Sequence, residues 1–463
     1  MLPVTLIIIL TAILVVLVIL SYYLPSDHDI QSNEQLGKEY GQTKNYVYST
    51  IVLVSVALVA GIYIWLKDTI WAGHVMEWLN IVIRLMHITF GIAWIGASFY
   101  FVFLENALNR TEGIRDELAG NLWAIHGGGF YYLEKYKVAP KQIPKALHWF
   151  KYEAYFTWVT GFCLLFVVYY FNASAQLVDK NVLDISSLQA IVRGILSLVI
   201  AWLIYDLLCK SPIIKNKFLF ILTGLIICTA FAVFYSKVFA ARAAYMHFGA
   251  MLGTIMAANV FFVIIPSQKA MVRAAKLGLH LNAQLGKNAG MRSLHNNYFT
   301  LPVLFVMISN HFPTTFGYKQ PWLILMLITL GVVGVKHYLN LREKGQYSVW
   351  VMPVSILILL SAAYISAPAK PGECKNEVSI AEVNRIIQQR CIQCHSSKPT
   401  DEVYTAPPNG VTYDTPESIA KYSEKIMQRV VLTKSMPQNN KTNMTEEERE
   451  LIRCWISQGA SIK

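Results

Sequence analysis

The most specific chemistry in the sequence is carried by Cys391-Ile392-Gln393-Cys394-His395. Two thiols at this spacing can add to the two vinyl groups of a haem, and the adjacent histidine then reaches the iron from one face. The CxxCH pattern therefore reads as one covalent haem c site. Met436, followed by Pro437, is the preferred sixth ligand, with Met444 as its rival. Met/His ligation raises the haem potential and suits electron transfer. Cys374 and Cys454 either form a disulfide or remain two free thiols. Cys163, Cys209 and Cys228 lie in or at the ends of apolar runs and read as packing residues.

Ionisable groups inside apolar runs are costly and point to function. His87, His247 and His311 form one layer of such groups, and His126, His148, His295 and His337 form another. Two histidines from different helices could hold a haem b within the membrane, and the first layer supplies the candidates His87, His247 and His311. For a single histidine the alternative is a hydrogen-bonded packing role. Two polar stretches accompany the second layer. In His126-Gly127-Gly128-Gly129-Phe130-Tyr131-Tyr132 the glycines free the backbone for close approach to a ligand or to another helix. Arg292-Ser293-Leu294-His295-Asn296-Asn297 groups a cation, an imidazole and two amides that could hold a planar anionic heterocycle. The competing readings are a tight interhelical loop and a polar helix start. No HExxH, Walker A or GxGxxG motif is present.

The elements that must position these groups are membrane helices. The chain has 463 residues, 55% apolar and 15% charged, where soluble domains are less apolar and more charged. That balance excludes a purely soluble enzyme and a disordered chain. About ten apolar runs are long enough to span: 2–23, 47–66, 79–104, 152–171, 188–208, 218–236, 243–265, 298–313, 321–340 and 348–366. The run at 298–313 is the shortest and carries Pro302 in its first turn, where proline is tolerated. The first run lacks a basic leader, which argues against a cleaved signal peptide. Lys and Arg crowd into the loops after odd-numbered spans, which places those loops in the cytoplasm and the region after the tenth span outside. The histidine layer with His87, His247 and His311 then lies toward the outside, nearer the haem c. The net charge of +12 resides almost wholly in residues 1–373 as this topogenic signal, so no nucleic-acid partner is expected. Beyond the linker 367–373, residues 374–463 read as a small helical domain. Helices are expected over 378–390, from Thr415-Pro416 to about 432, and from the capping box Thr445/Glu448 to near Gly459. The fold class is all-α: a polytopic helical membrane bundle followed by a small all-α domain.

Long stretches resemble one family, the membrane-bound urate hydroxylases (urate oxidases of the PuuD type). They include EWLNIVIRLMHITFGIAWIGASFYFVFLEN (77–106), HGGGFYYLEKY (126–136), HWFKYEAYFTWVTGF (148–162), RAAYMHFGAMLGTIMAANVFFVIIPSQ (242–268) and RSLHNNYFTLPVLFVMISNHFP (292–313). The final segment resembles class I cytochromes c through CxxCH, the MP loop and the terminal WISQGA. The resemblance implies a family-like domain of eight spanning helices over 75–366 and a cytochrome c domain over 374–463. Residues 1–74, with two further expected spans, fall outside it. It implies oxidation of urate to 5-hydroxyisourate, with the added oxygen taken from water. Electrons would leave through the haem c to a soluble cytochrome or terminal oxidase. It also implies a bacterial inner membrane setting with the cytochrome domain in the periplasm. LMHITFGIAWIG (85–96) is similar to the histidine helix of the HemJ and CopD groups, which favours His87 as a ligand. On this reading Arg292 and the His126-Gly127-Gly128 backbone hold the urate anion beside Asn296, and His126 or His295 acts as general base. The contrasting class is a haem-carrying electron-transfer subunit with no substrate site of its own. A haem or copper maturation protein is a third class, which the fused haem c site argues against.

Overall fold

The computed structural model describes residues 71–462 apart from 141, 145–146, 368–372, 375, 402–403 and 405, together with scattered positions between 43 and 69. The expected span 2–23 lies outside the described residues, and 47–66 lies only partly within them. Eight helices build the membrane part: α1 (Trp71–Ala107), α2 (Tyr152–Tyr170), α3 (Ser187–Lys210), α4 (Lys217–Val238), α5 (Ala241–Lys276), α6 (Ala283–Ser309), α7 (Pro321–Glu343) and α8 (Val351–Ile365). Among the described residues, six helices are long and apolar enough to cross a membrane. The two outside that set are α6, whose first half is polar, and α8, with 15 residues. The protein is an all-α membrane bundle.

Two local devices set the helix register. Ser186 and Gln189 close a capping box at the start of α3, and Asn216 and Asn282 cap α4 and α6 by accepting backbone N–H bonds. Wider π-turns interrupt α2 at Leu165–Tyr170 and α5 at Asn259–Ile264. Such an insertion rotates the following side chains relative to a regular helix. It carries Tyr169, Tyr170 and Asn259 to buried positions facing other helices.

Two expectations are corrected. The spacing argument starts the sixth family-like helix at residue 298, whereas α6 begins at Ala283 and runs through Arg292–Tyr298. The polar side chains there bond across to neighbouring helices, so the segment is a buried helix and not a loop. Pro302 consequently sits in the helix interior, where it forfeits one backbone hydrogen bond. The second correction concerns residues 118–136, which form an antiparallel hairpin, β1 (Leu118–His126) with β2 (Gly129–Tyr136). Gly127 and Gly128 make its two-residue turn at φ 57° and 79°, backbone angles that favour glycine.

The C-terminal segment packs α9 (Ile380–Arg390) against α12 (Glu446–Ser457), with α10 (Pro416–Lys421) and α11 (Ser423–Ile426) between them in sequence. Its core contains Val383, Ile387, Ile419, Ile426, Ile452 and Trp455. Arg390 grips Glu448 with bonds of 2.9 and 3.1 Å, which ties α9 to α12. The segment docks on the loop that follows α2. Gln438 Nε2 donates to Ala175 O and Gln176 Oε1, both at 2.9 Å, and Asn439 Nδ2 donates to Ala175 O at 2.9 Å and Val178 O at 3.0 Å.

Candidate functional site

A belt of buried polar side chains crosses the interior of the bundle. It is centred on α6, whose adjacent Asn296 and Asn297 face two different sets of neighbours. On one side Arg292, 3% exposed, donates to Asp206 Oδ1 of α3 at 2.6 Å and to Asn259 Oδ1 of α5 at 3.1 Å. Asn259 Nδ2 in turn donates to Asn296 Oδ1 at 3.0 Å and to the Tyr205 hydroxyl at 3.2 Å. The Tyr205 hydroxyl lies 2.8 Å from His295 Nδ1, and Phe220 stacks on that imidazole. On the other side Asn297 accepts from Asn340 Nδ2 of α7 at 3.1 Å and donates to Ser98 Oγ of α1 at 3.3 Å. Lys336, one turn before Asn340, lies 3.7 Å over the Phe99 ring, and Tyr298 meets His337 at 2.8 Å.

The structure thus places three of the substrate-site candidates, Arg292, His295 and Asn296, in one network. It gives Arg292 a different position from the one its charge suggested. A guanidinium free to take an anion was expected, and this one already holds a buried carboxylate. His126, Gly127 and Gly128 stand apart at the exposed hairpin turn. Among the described residues no hydrogen bond joins that turn to Arg292, His295 or Asn296. The reason is that residues 118–136 pair with each other as strands and do not fold back over α6. Reading the sequence missed Asp206, Asn259, Lys336 and Asn340. The signal for Asp206 and Lys336 was available, since each is a charge inside an apolar run.

The other histidine layer does not converge. His87 Nδ1 donates to Thr157 O of α2 at 3.0 Å, leaving Nε2 without a partner among the described residues. A Cβ at Gly161 would come within 2.8 Å of that ring, so glycine is what admits it. His247, fully buried, donates from Nδ1 to Ala243 O at 2.8 Å and receives the Tyr170 hydroxyl on Nε2 at 3.1 Å. Gly194 of α3 makes room for it in the same way. His311 lies exposed beyond the end of α6.

In the C-terminal segment the donors present fit a covalently attached haem. His395 Nδ1 bonds to Val411 O at 2.9 Å, which orients the ring and leaves Nε2 for an iron. Cys391 and Cys394 are unpaired, whereas Cys374 and Cys454 are joined as a disulfide with Cα atoms 5.5 Å apart. Burial pushes the Cys391 thiol up to about 12 and the Cys394 thiol up to about 11, so both are neutral thiols at ordinary pH. Met436 and Met444 pack against the same core, Met444 the more deeply, and the Met436 carbonyl accepts from Arg449 at 2.8 Å. Met436 also stands two residues from Gln438, the residue that docks on the membrane part.

Bundle and belt together define a multi-pass helical membrane protein with a polar site enclosed among its helices. Residues 73–367 match the family model described as Urate oxidase N-terminal, and the chain belongs to that family, which ties it to urate-related oxidoreductase chemistry. No curated protein and no solved structure matches the chain.

Proposed function

We propose that this chain oxidises urate to 5-hydroxyisourate at the belt around α6 and sends the electrons through its own haem c to a soluble cytochrome or terminal oxidase. Urate takes up one water and releases two protons and two electrons, so no peroxide forms. The observation that carries the reading is the enclosed belt itself, with His295 held by Tyr205 beside paired amides. Buried polar groups inside a membrane are costly and are kept where a substrate or proton must be handled. A plain electron-transfer subunit has no need of them.

His295 serves as proton acceptor. Its Nδ1 is anchored to the Tyr205 hydroxyl, which can accept as readily as donate, so the imidazole can switch tautomer and take a proton on Nε2. His126, exposed at the hairpin turn, is poorly placed for that role. Asn296, fixed by Asn259 and by the Met256 carbonyl, orients its surroundings. Cys391 and Cys394 would attach the haem, and His395 and Met436 would hold its iron. When bound it supplies one-electron transfer at a raised potential. Of the haem b candidates, His87 keeps Nε2 open, whereas a haem on His247 would require that ring to give up the Tyr170 hydroxyl. The hydrogen bonds of Gln438 and Asn439 to residues 175–178, just after Tyr170, link the His247 environment to the Met436 loop. The chain sits in a bacterial inner membrane with this domain in the periplasm.

The test is an anaerobic difference spectrum of membranes containing the protein, before and after urate, with dithionite as the full-reduction reference. Urate should reduce the c-type band, and a Cys394→Ala variant should lose that response. A c-type band that dithionite reduces and urate leaves oxidised would give the electron-relay reading its place.

A further inference from the structure

Lys336 is fully buried, and its ammonium has no hydrogen-bond partner among the described residues. Among the described residues no carboxylate forms an ion pair with it, and Glu343, two turns on along α7, is the acid whose charge reaches it. Helices α4, α6 and α8 contain no carboxylate at all. Glu343, the one acid of α7, accepts from Asn106 Nδ2 at 3.0 Å, and Glu105 of α1 is held by Arg110 and Lys135. Asp206, across α6, is shared between Arg292 and Lys210. What faces the ammonium is the Phe99 ring, 3.7 Å away. A cation over an aromatic face gains something, but far less than burial of an unpaired charge costs. One helical turn on, and therefore on the same face, Asn340 has a buried Oδ1 that also lacks a partner among the described residues, while its Nδ2 is committed to Asn297. A buried donor cation and a buried acceptor thus stand side by side, both unsatisfied, at the edge of the belt.

We propose that Lys336 and Asn340 form the subsite that recognises the anionic purine. Lys336 Nζ donates to an oxygen of the urate monoanion and neutralises it, and Asn340 Oδ1 accepts an adjacent ring N–H. Phe99, beneath the ammonium, walls one side of the subsite. Arg292 is excluded from this task because Asp206 already balances it. The inference rests on the urate reading above and assigns the substrate's charge to a group outside the Arg292 network. It also explains an asymmetry of the belt, in which the Arg292 side is fully paired and the Lys336 side is not.

The experiment uses the full-length protein in detergent, as wild type, Lys336→Met, Lys336→Arg and Asn340→Ala. Urate binding is measured anaerobically by equilibrium dialysis on protein held reduced with dithionite, so that no turnover occurs. In parallel, KM and kcat are taken for urate-driven reduction of the c-type haem. Loss of a charge-assisted hydrogen bond should weaken binding and raise KM by at least about tenfold in Lys336→Met, with a smaller change in kcat. Lys336→Arg should recover much of the affinity, and Asn340→Ala should weaken binding several-fold. Without urate, Lys336→Met should melt at or above the wild-type temperature, because it removes an uncompensated buried charge. A merely structural lysine predicts the reverse: a lower melting temperature with urate affinity unchanged in the protein that remains folded. If wild type reacts with urate and Lys336→Met binds it equally well, this subsite is overturned while the urate reading stands. If wild type neither binds nor reacts with urate, both fall.

Discussion

Removing the Asp206 carboxylate leaves the Arg292 guanidinium buried without a counter-charge. Asp206→Ala should therefore destabilise the bundle by about 3–5 kcal/mol. Adding Arg292→Met should restore much of that loss, since the pair and not either member alone is what the interior tolerates. Thermal melts of the two single variants and the double variant in detergent check this; additive losses would show that the ion pair is not coupled. At this scale the sequence was half legible. Arg292, His295 and Asn296 stand out because they cluster within five residues. Asp206, Asn259, Lys336 and Asn340 lie on three other helices and become neighbours only when the bundle closes. Charge in an apolar run marks Asp206 and Lys336 as unusual but does not say which of them is paired.

Elements are positioned by small devices that fail in specific ways. The hairpin turn needs positive φ at Gly127 and Gly128. Gly128→Val should cost about 1–2 kcal/mol locally, and limited proteolysis should then cut faster within residues 126–130. An unchanged cleavage pattern would mean that the hairpin does not depend on that turn. Inside the bundle, a Cβ at Gly194 would lie 2.7 Å from the Tyr170 hydroxyl and 2.8 Å from His247 Nε2. Gly194→Ala should break their hydrogen bond and destabilise by about 1–3 kcal/mol through overpacking. A melting temperature equal to wild type would refute that. Hydropathy located the apolar cores of the family-like helices well, because burial in lipid demands continuous apolar sequence. It misplaced the start of α6, where the polar residues of a helix satisfy one another, and it could not register the π-turns that bring Tyr170 and Asn259 to their partners.

For the molecule as a whole, the proposed electron route runs through the docking of the C-terminal segment against the loop after α2. Gln438→Ala combined with Asn439→Gly removes the side-chain bonds to Ala175, Gln176 and Val178, and glycine keeps the positive φ of residue 439. Urate-driven reduction of the c-type haem should slow severalfold in rapid-mixing experiments, while the dithionite-reducible haem content stays constant. An unaltered rate would mean that electrons reach the domain by another route. The docking side agrees with the charge sorting of the loops. The domain rests on residues 175–178, within a loop that the Lys and Arg distribution assigns to the outside, the same side it assigns to the region after the last span.

The sequence by itself determined that this is a helical membrane protein, because apolar length and loop charge are one-dimensional properties that lipid and topology read directly. It also marked Cys391, Cys394 and His395 as the candidate haem c donors, because they are contiguous. The tertiary structure decided which charges are spent and which are free. Arg292 finds Asp206 across helices α6 and α3, Lys336 lies over Phe99 with no ion pair among the described residues, and the glycine-rich turn stands away from both. Pairing between side chains distant in sequence is fixed by how helices pack, which no local pattern of residue types encodes.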